Sequence, residues 1–243
     1  MTVEYFLLLA VIGFLSVVQS IFGMGVLVFG TPTLLLLGYD FATTLSYLLP
    51  ASFAISLLQV LSARSLEVRI SRYLYLLCLP GICGGLWLVG SGYSAPWTNF
   101  MIGGILLLSA LVRILPLSRL LVTRMLETHY PVYHLILGVV HGLTNLGGAL
   151  LAILASGTST DKVVIRYTIA HYYLAFSTIQ MLFLATVMGL HDRLLANIPM
   201  AAISACVYLA VGNRIFFRAS NPIYDLAMTA FIAVYGVVIL VEF

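Results

Sequence analysis

The chain has 243 residues, of which 62% are hydrophobic and only 8% are charged, and its formal net charge is +3. A soluble domain is typically about 45–50% apolar and about 25% charged. The composition therefore excludes a soluble enzyme, a nucleic-acid-binding protein and a disordered protein, and it predicts an integral membrane protein. The small positive charge is too slight for a surface that binds phosphate groups along a nucleic acid.

Apolar runs separated by polar breaks predict an all-α polytopic membrane protein, with helices near 3–22, 24–38, 41–61, 73–92, 98–115, 131–143, 146–157, 164–188, 196–212 and 223–242. A helix needs about 20 residues, and at least about 17, to cross a bilayer. The runs 24–38, 131–143 and 146–157 are shorter than that minimum. The first run has neither a basic flank before it nor a small-residue cleavage site after it, so we expect it to be a retained helix.

The basic residues predict the topology. Ten of the eleven lie in four breaks, namely Arg64, Arg69 and Arg72, then Arg113, Arg119 and Arg124, then Lys162 and Arg166, and finally Arg214 and Arg218. Because cytoplasmic loops collect Lys and Arg, these breaks should all face the cytoplasm. The chain must then leave and return within 131–157, which has room only for two short helices.

This constraint predicts two inverted repeats, each a broken, re-entrant helical hairpin followed by three full transmembrane helices. The predicted boundaries are 1–116 for the first repeat, 117–130 for an interfacial linker and 131–243 for the second repeat. Several residues recur at a displacement of 125: Gly13 and Gly138, Ser20 and Asn145, Gly23 and Gly148, Thr31 and Ser156, Thr33 and Thr158. Others recur at a displacement of 121: Asp40 and Asp161, Ser56 and Ser177, Gln59 and Gln180.

The segment from Gly13 to Pro32, which contains Phe22-Gly23-Met24-Gly25, resembles the first repeat of the sulfite exporter TauE/SafE family, and Gly138 to Ala149 resembles the second. The resemblance covers both halves of the chain. It implies a transporter for a small anion, mostly a sulfur oxyanion or an organosulfonate, in a cytoplasmic (inner) membrane of bacterial type.

Interrupted membrane helices expose backbone N–H groups, and a helix N-terminus favours negative charge. Glycine allows a ligand to approach the backbone closely. The predicted substrate-binding residues are the glycines of the two breaks and the polar residues before them: Gln19, Ser20, Gly23, Gly25, His141, Thr144, Asn145, Gly147 and Gly148. Small residues that allow close helix packing are the competing interpretation of the glycines.

Five ionisable residues are candidates for gating or coupling: Asp40, Asp161, Lys162, Arg166 and His171. The aspartates fit helix capping equally well, and the cations fit simple positive-inside anchoring. A neutral histidine bonded between helices is the alternative for both His141 and His171. The hydroxyl-rich segment 156–160 either continues a polar path or caps the next helix.

We therefore expect a secondary transporter that works by alternating access, with membrane lipid and a small anion as its partners and proton coupling as an open alternative. A passive anion channel and an intramembrane enzyme are the competing functions, and the sequence has no Gly-x-Ser-x-Gly motif. No cofactor, metal site or nucleic-acid partner is predicted, and a homo-oligomer is compatible with the sequence.

Overall fold

A computed structural model describes residues 3–63, 68–91 and 116–242. Within these residues every regular element is helical. The helices are α1 Val3–Phe22, α2 Val26–Leu36, α3 Phe41–Ser62, π1 Leu74–Cys78, α4 Leu79–Gly90, α5 Pro116–Thr144, α6 Gly147–Thr158, α7 Lys162–Thr186, α8 His191–Ala196, α9 Ile198–Val207, π2 Tyr208–Gly212, α10 Asn213–Arg218 and α11 Asn221–Glu242.

The all-α prediction is confirmed for the described residues, because each predicted apolar run within them corresponds to a helix. Four helical segments in this part of the chain are long and apolar enough to cross a membrane: Glu4–Phe22, Phe41–Ser62, Lys162–Thr186 and His191–Arg218. The predicted span 98–115 lies outside the described residues, as do Arg64 and Arg113, two of the basic residues that are predicted to face the cytoplasm. Residues 116–128 are helical, as expected of a short linker helix, and the helix geometry is interrupted at His129.

Two short helices are almost completely buried. In α2, residues 26–32 are all buried, and in α6 residues 147–155 are buried except for position 150. Helices of 11 and 12 residues extend about 16–18 Å, far less than the hydrocarbon thickness of about 30 Å. Neither helix is long enough to cross a bilayer by itself.

The chain forms two compact units. Unit 1 consists of Met1–Glu67 and Ile169–Ala219 and contains α1 to α3, most of α7, and α8 to α10. Unit 2 consists of Val68–Thr168 and Ser220–Phe243 and contains π1, α4 to α6, the start of α7, and α11. Each unit therefore combines one interrupted helix pair with helices from the other half of the sequence. The proposed repeat boundaries stay a prediction.

Prolines explain some of the irregular helix geometry. Pro50 lies inside α3 and has no N–H to donate, which leaves the carbonyl of Ser46 without its helical partner. The side chain of Asn197 donates to this carbonyl at 3.1 Å and thereby satisfies it. Pro80 follows the π-helical turn π1, whose wider spacing is seen in the bond from the Leu79 amide to the Leu74 carbonyl.

The helix boundaries recur along the chain. α1 ends at Phe22 and α5 at Thr144, which are 122 residues apart, and α2 and α6 begin 121 residues apart. α3 and α7 also begin 121 residues apart. The boundaries thus follow the displacement of 121 that relates Asp40 to Asp161. The displacement of 125, in contrast, pairs Gly23 of break one with Gly148, which lies inside α6.

Candidate functional site

Break one, defined as residues 23–25, separates α1 from α2 in unit 1. Gly23 has a φ of 80°, a left-handed conformation that glycine adopts without steric cost, and its amide donates to the Gln19 carbonyl at 2.8 Å. The chain then turns so closely onto α1 that a Cβ on Gly25 would lie 2.6 Å from the Gln19 backbone nitrogen. Only glycine fits at position 25 without movement of the backbone.

Gln19 holds break one together. Its Oε1 accepts a hydrogen bond from the amide of Val26, the first residue of α2, at 3.1 Å. Its Nε2 donates to the carbonyl and hydroxyl of Ser52 and to the hydroxyl of Ser56, at 3.0–3.1 Å. The predicted binding residue Gln19 is therefore fully buried and caps the short helix. The first helical bond of α2 joins the Phe29 amide to the Gly25 carbonyl.

A second glutamine closes the other side of break one. Nε2 of Gln59, on α3, donates to the carbonyls of Gln19 and Ser20 at 3.0 and 3.1 Å. These carbonyls belong to the last turn of α1, and the Gln19 carbonyl accepts from the Gly23 amide as well. The Ser20 hydroxyl donates to the Ser16 carbonyl one turn earlier in α1. The predicted binding residue Ser20 is fully buried as well.

The π-helical turn π2 packs on α1 in unit 1. Gly212 lies so close to Ser20 that a Cβ on this glycine would overlap the serine side chain. Nearby, Ser16 donates to the Ser204 hydroxyl at 2.8 Å. Small residues therefore bring the backbones of these helices together, which is typical of helix packing in membranes.

Break two, defined as residues 145 and 146, separates α5 from α6 in unit 2. Asn145 has a φ of 62° and occupies the left-handed position that Gly23 occupies in break one. Asn is one of the few residues other than Gly that adopt this conformation readily. Its amide donates to the His141 carbonyl at 2.7 Å. The chain again turns back on the preceding helix, since a Cβ on Gly147 would lie 2.6 Å from the His141 Cβ.

Side chains of α5 also cap the helix that follows break two. Nδ1 of His141 accepts from the Gly147 amide at 3.2 Å, which requires a neutral ring with its hydrogen on Nε2. The Thr144 hydroxyl accepts from the Leu146 amide at 3.2 Å. His141 and Asn145 are fully buried, and Gly148, the second residue of α6, is buried too.

Unit 2 repeats the packing of a π-helical turn against the helix before the break. Gly138 of α5 lies against the Cys78 carbonyl of π1, with no room for a Cβ. Further along the same interface, a Cβ on Gly85 of α4 would lie 2.7 Å from the Leu143 amide nitrogen of α5. The glycines of this interface therefore serve close packing, the competing interpretation of small residues in the sequence.

Asp40 and Asp161 lie at matching helix starts. A carboxylate oxygen of Asp40 accepts from the Thr43 amide at 2.9 Å, and its other oxygen accepts from the Thr43 hydroxyl at 2.6 Å. The bond from the Thr43 hydroxyl is the main cause that lowers the pKa of Asp40. Asp161 accepts from the Val163 amide at 2.8 Å. Both aspartates have the geometry of helix caps, whereas a gating role stays a prediction.

The remaining candidates lie on α7. Lys162 and Arg166 are both buried, at 9% and 4% exposure, and Lys162 donates its amide to the Asn221 side chain at 3.4 Å. His171 is half-buried. A cavity of about 230 Å³ in unit 2 lies at the start of α7 and α11, and it is lined by Ser156, Ser159, Thr160, Ile165, Asn221, Pro222, Tyr224 and Asp225.

Sequence reasoning missed the side of α3 that faces break one. Ser52, Ser56 and Gln59 are spaced at i, i+4 and i+7, so they share one helix face. All three are buried. The hydroxyls of Ser52 and Ser56 accept hydrogen bonds from the Gln19 side chain, and Gln59 donates to the Gln19 carbonyl. The spacing of polar residues within an otherwise apolar helix could have indicated them, whereas the repeat pattern relates Ser56 and Gln59 only to positions in the other half of the sequence.

Comparison with protein-family models, curated proteins and solved structures finds no match to this chain.

Proposed function

We propose that the chain is a secondary transporter of a small anion, and that each break binds such an anion at the N-terminal end of the short helix that follows it, α2 in unit 1 and α6 in unit 2. The observation that carries the proposal is the recurrence of one arrangement in both units. In each, a left-handed residue ends a longer helix, and a short buried helix then returns against it. Interrupted helices at corresponding positions of two halves are the architecture of many secondary transporters.

The chemistry of a helix start supports an anion as the substrate. The N–H groups of the first turn have no helical acceptors, and the helix dipole favours negative charge there. Gln19 occupies only the Val26 amide, so the amides of Leu27 and Val28 are the next donors of α2. In α6, His141 occupies the Gly147 amide, and Gly148 is the next donor without a Cβ.

The resemblance to the TauE/SafE family suggests the chemical class of the anion. We propose a sulfur oxyanion or an organosulfonate, whose several oxygens accept hydrogen bonds in different directions. Neutral donors bind such an anion without a fixed opposite charge that would slow its release. The bacterial-type cytoplasmic membrane, with the basic breaks on its inner side, is part of the same proposal.

The proposal can be tested by anion binding to the purified full chain in detergent. We expect sulfite, thiosulfate or sulfoacetate to raise the melting temperature of the wild type in a saturable manner, since a ligand that binds only the folded state stabilises it. Asn145→Gly keeps the left-handed conformation and removes only the side chain, so it should fold and lose most of this response. Gly148→Leu should lose it as well.

The matched control is Gly84→Leu, because a Cβ at Gly84 meets nothing within 4 Å and this glycine belongs to the same unit. This variant should respond to the anion as the wild type does. A wild type that none of the tested sulfur anions stabilises would overturn the proposed substrate class. An undiminished response in Asn145→Gly and Gly148→Leu would overturn the proposed site.

A further inference from the structure

A cluster of aromatic rings joins the start of π1 to α5 in unit 2. The Tyr73 ring meets the Tyr130 ring edge-on, with the ring centroids 6.1 Å apart, and its centroid lies 6.0 Å from that of the His134 ring. His134 is fully buried, and its Nδ1 donates to the Tyr130 carbonyl at 2.9 Å, because a carbonyl oxygen can only accept. Tyr73 is therefore held in place by two rings of a second helix.

The Tyr73 ring in turn orients Arg72. The guanidinium carbon of Arg72 lies 5.2 Å from the centroid of this ring, and its Nη2 donates to the Tyr73 hydroxyl at 3.3 Å. Arg72 is exposed, and its side chain interacts with Tyr73 and with no acidic group of the described residues. An arginine held in this way on an aromatic ring keeps most of its N–H donors for a further acceptor.

The cluster lies where both helices change from polar to apolar sequence. Residues 68–72 include two arginines, and residues 74–90 contain no charged residue. The geometry of α5 is interrupted at His129, and residues 131–144 contain no Asp, Glu, Lys or Arg. Tyrosines concentrate at the boundary between membrane and water, and basic residues concentrate on the cytoplasmic side. The pattern therefore favours a position of the cluster at the cytoplasmic surface of the membrane.

Exposed apolar side chains continue from the cluster along both helices. Leu76 of π1, four residues beyond Arg72, is 62% exposed. On α5, Val132, Leu135 and Ile136 are 44–50% exposed. Lipid acyl chains are as apolar as such side chains and cover them in a membrane. A phospholipid has the two parts that this surface fits, a charged headgroup and apolar chains.

We propose that Arg72 and the rings that support it bind the headgroup of an anionic phospholipid, with phosphatidylglycerol as the lipid tested. A guanidinium matches a phosphate in charge and in the spacing of its donors. Arg69 adds a second exposed positive charge, and residues 68–91 contain no Asp or Glu. This excess of positive charge favours an anionic lipid over zwitterionic phosphatidylcholine. The lipid site does not depend on the proposed transport of an anion.

The experiment measures the melting temperature of the full chain in dodecyl maltoside micelles that contain an increasing mole fraction of dioleoyl phosphatidylglycerol. We expect a saturable increase in the wild type, since a ligand that binds only the folded state stabilises it. Dioleoyl phosphatidylcholine should have little effect. In Arg72→Gln, the mole fraction that gives half of the increase should rise by about fivefold, the factor expected for one arginine at a membrane surface.

Two outcomes of this titration would overturn the inference. One is an equal effect of the two lipids on the wild type, which would show that the surface does not select an anionic headgroup. The other is an unchanged response in Arg72→Gln, which would show that phosphatidylglycerol binds elsewhere on the chain. Arg72 is exposed, so its replacement should leave the fold intact.

Two further variants separate a built site from general attraction by positive charge. Arg72→Lys keeps the charge but loses the planar guanidinium and its contact with the Tyr73 ring, so it should also weaken the response. Arg218→Gln is the matched control, because it removes another exposed arginine that is predicted to face the cytoplasm, and it should respond as the wild type does. A full response in Arg72→Lys, or an equal loss in Arg218→Gln, would show that charge alone attracts the lipid and would contradict the site.

Discussion

Gly25 shows how a single residue sets the geometry of break one. The space where its Cβ would lie is occupied by backbone atoms of Gln19 and Leu15, at 2.6–3.0 Å. Backbone atoms in a packed helix cannot move aside as the end of a flexible side chain can. The close return of α2 onto α1 thus depends on the absence of one carbon atom.

We expect Gly25→Ala to destabilise the protein by about 1–3 kcal/mol, because it overpacks a closely packed contact. For a chain of this length, a change of 1 kcal/mol corresponds to a shift of about 2–4 °C in the melting temperature. Gly13→Ala, in the α1 helix that precedes break one, is the matched control, since a Cβ at Gly13 meets nothing within 4 Å. Equal melting temperatures for the two variants would contradict the close packing at break one.

The left-handed position is occupied by a different residue type in each break. Gly23 and Asn145 have the same backbone conformation at the same place in their breaks, although the sequence pairs Gly23 with Gly148. Asn tolerates positive φ, so the position requires a conformation and not a particular residue. Matching glycine to glycine therefore shifts the register of the break by three residues.

At the scale of the helices, the apolar runs predict helix positions well because run length and polar breaks are local properties. α1, α3 and α11 begin and end within two residues of the predicted bounds. The partners of the breaks are not local. Gln19 bonds to Ser52 and Ser56, which lie 33 and 37 residues away in sequence, and only the folded chain brings these groups together.

The two short helices have different caps. Gln19 provides an amide oxygen to α2, whereas His141 provides a ring nitrogen to α6. In both breaks, a side chain of the longer helix therefore accepts from the first amide of the short helix.

We expect His141→Leu to destabilise the protein by about 1–3 kcal/mol, because it removes the acceptor of the buried Gly147 amide. Thermal unfolding of the purified full chain in detergent measures the effect.

His141→Gln is the matched variant, since it places at break two the type of cap that break one has. It should keep a melting temperature nearer to that of the wild type, because an amide oxygen can also accept from the Gly147 amide. Equal losses of melting temperature in His141→Leu and His141→Gln would show that this cap does not stabilise break two.

At the scale of the whole molecule, each unit takes its interrupted helix pair from one half of the sequence and further helices from the other half. In both units, a π-helical turn packs through glycine against the helix that precedes the break. The sequence predicts the interrupted pairs from run length and the positions of basic residues. It does not predict this exchange of helices, which depends on packing between segments that are distant in sequence. Ser16 and Ser204 of unit 1 lie 188 residues apart, and Lys162 and Asn221 of unit 2 lie 59 apart.

Uptake of radiolabelled sulfite into liposomes that contain the purified chain tests the proposed anion carrier most directly. With the membrane voltage clamped, the wild type should show uptake that saturates with external sulfite, and Asn145→Gly should lose it while Gly84→Leu retains it. Uptake that rises linearly without saturation would indicate a passive channel. No uptake above that of empty liposomes would contradict the carrier.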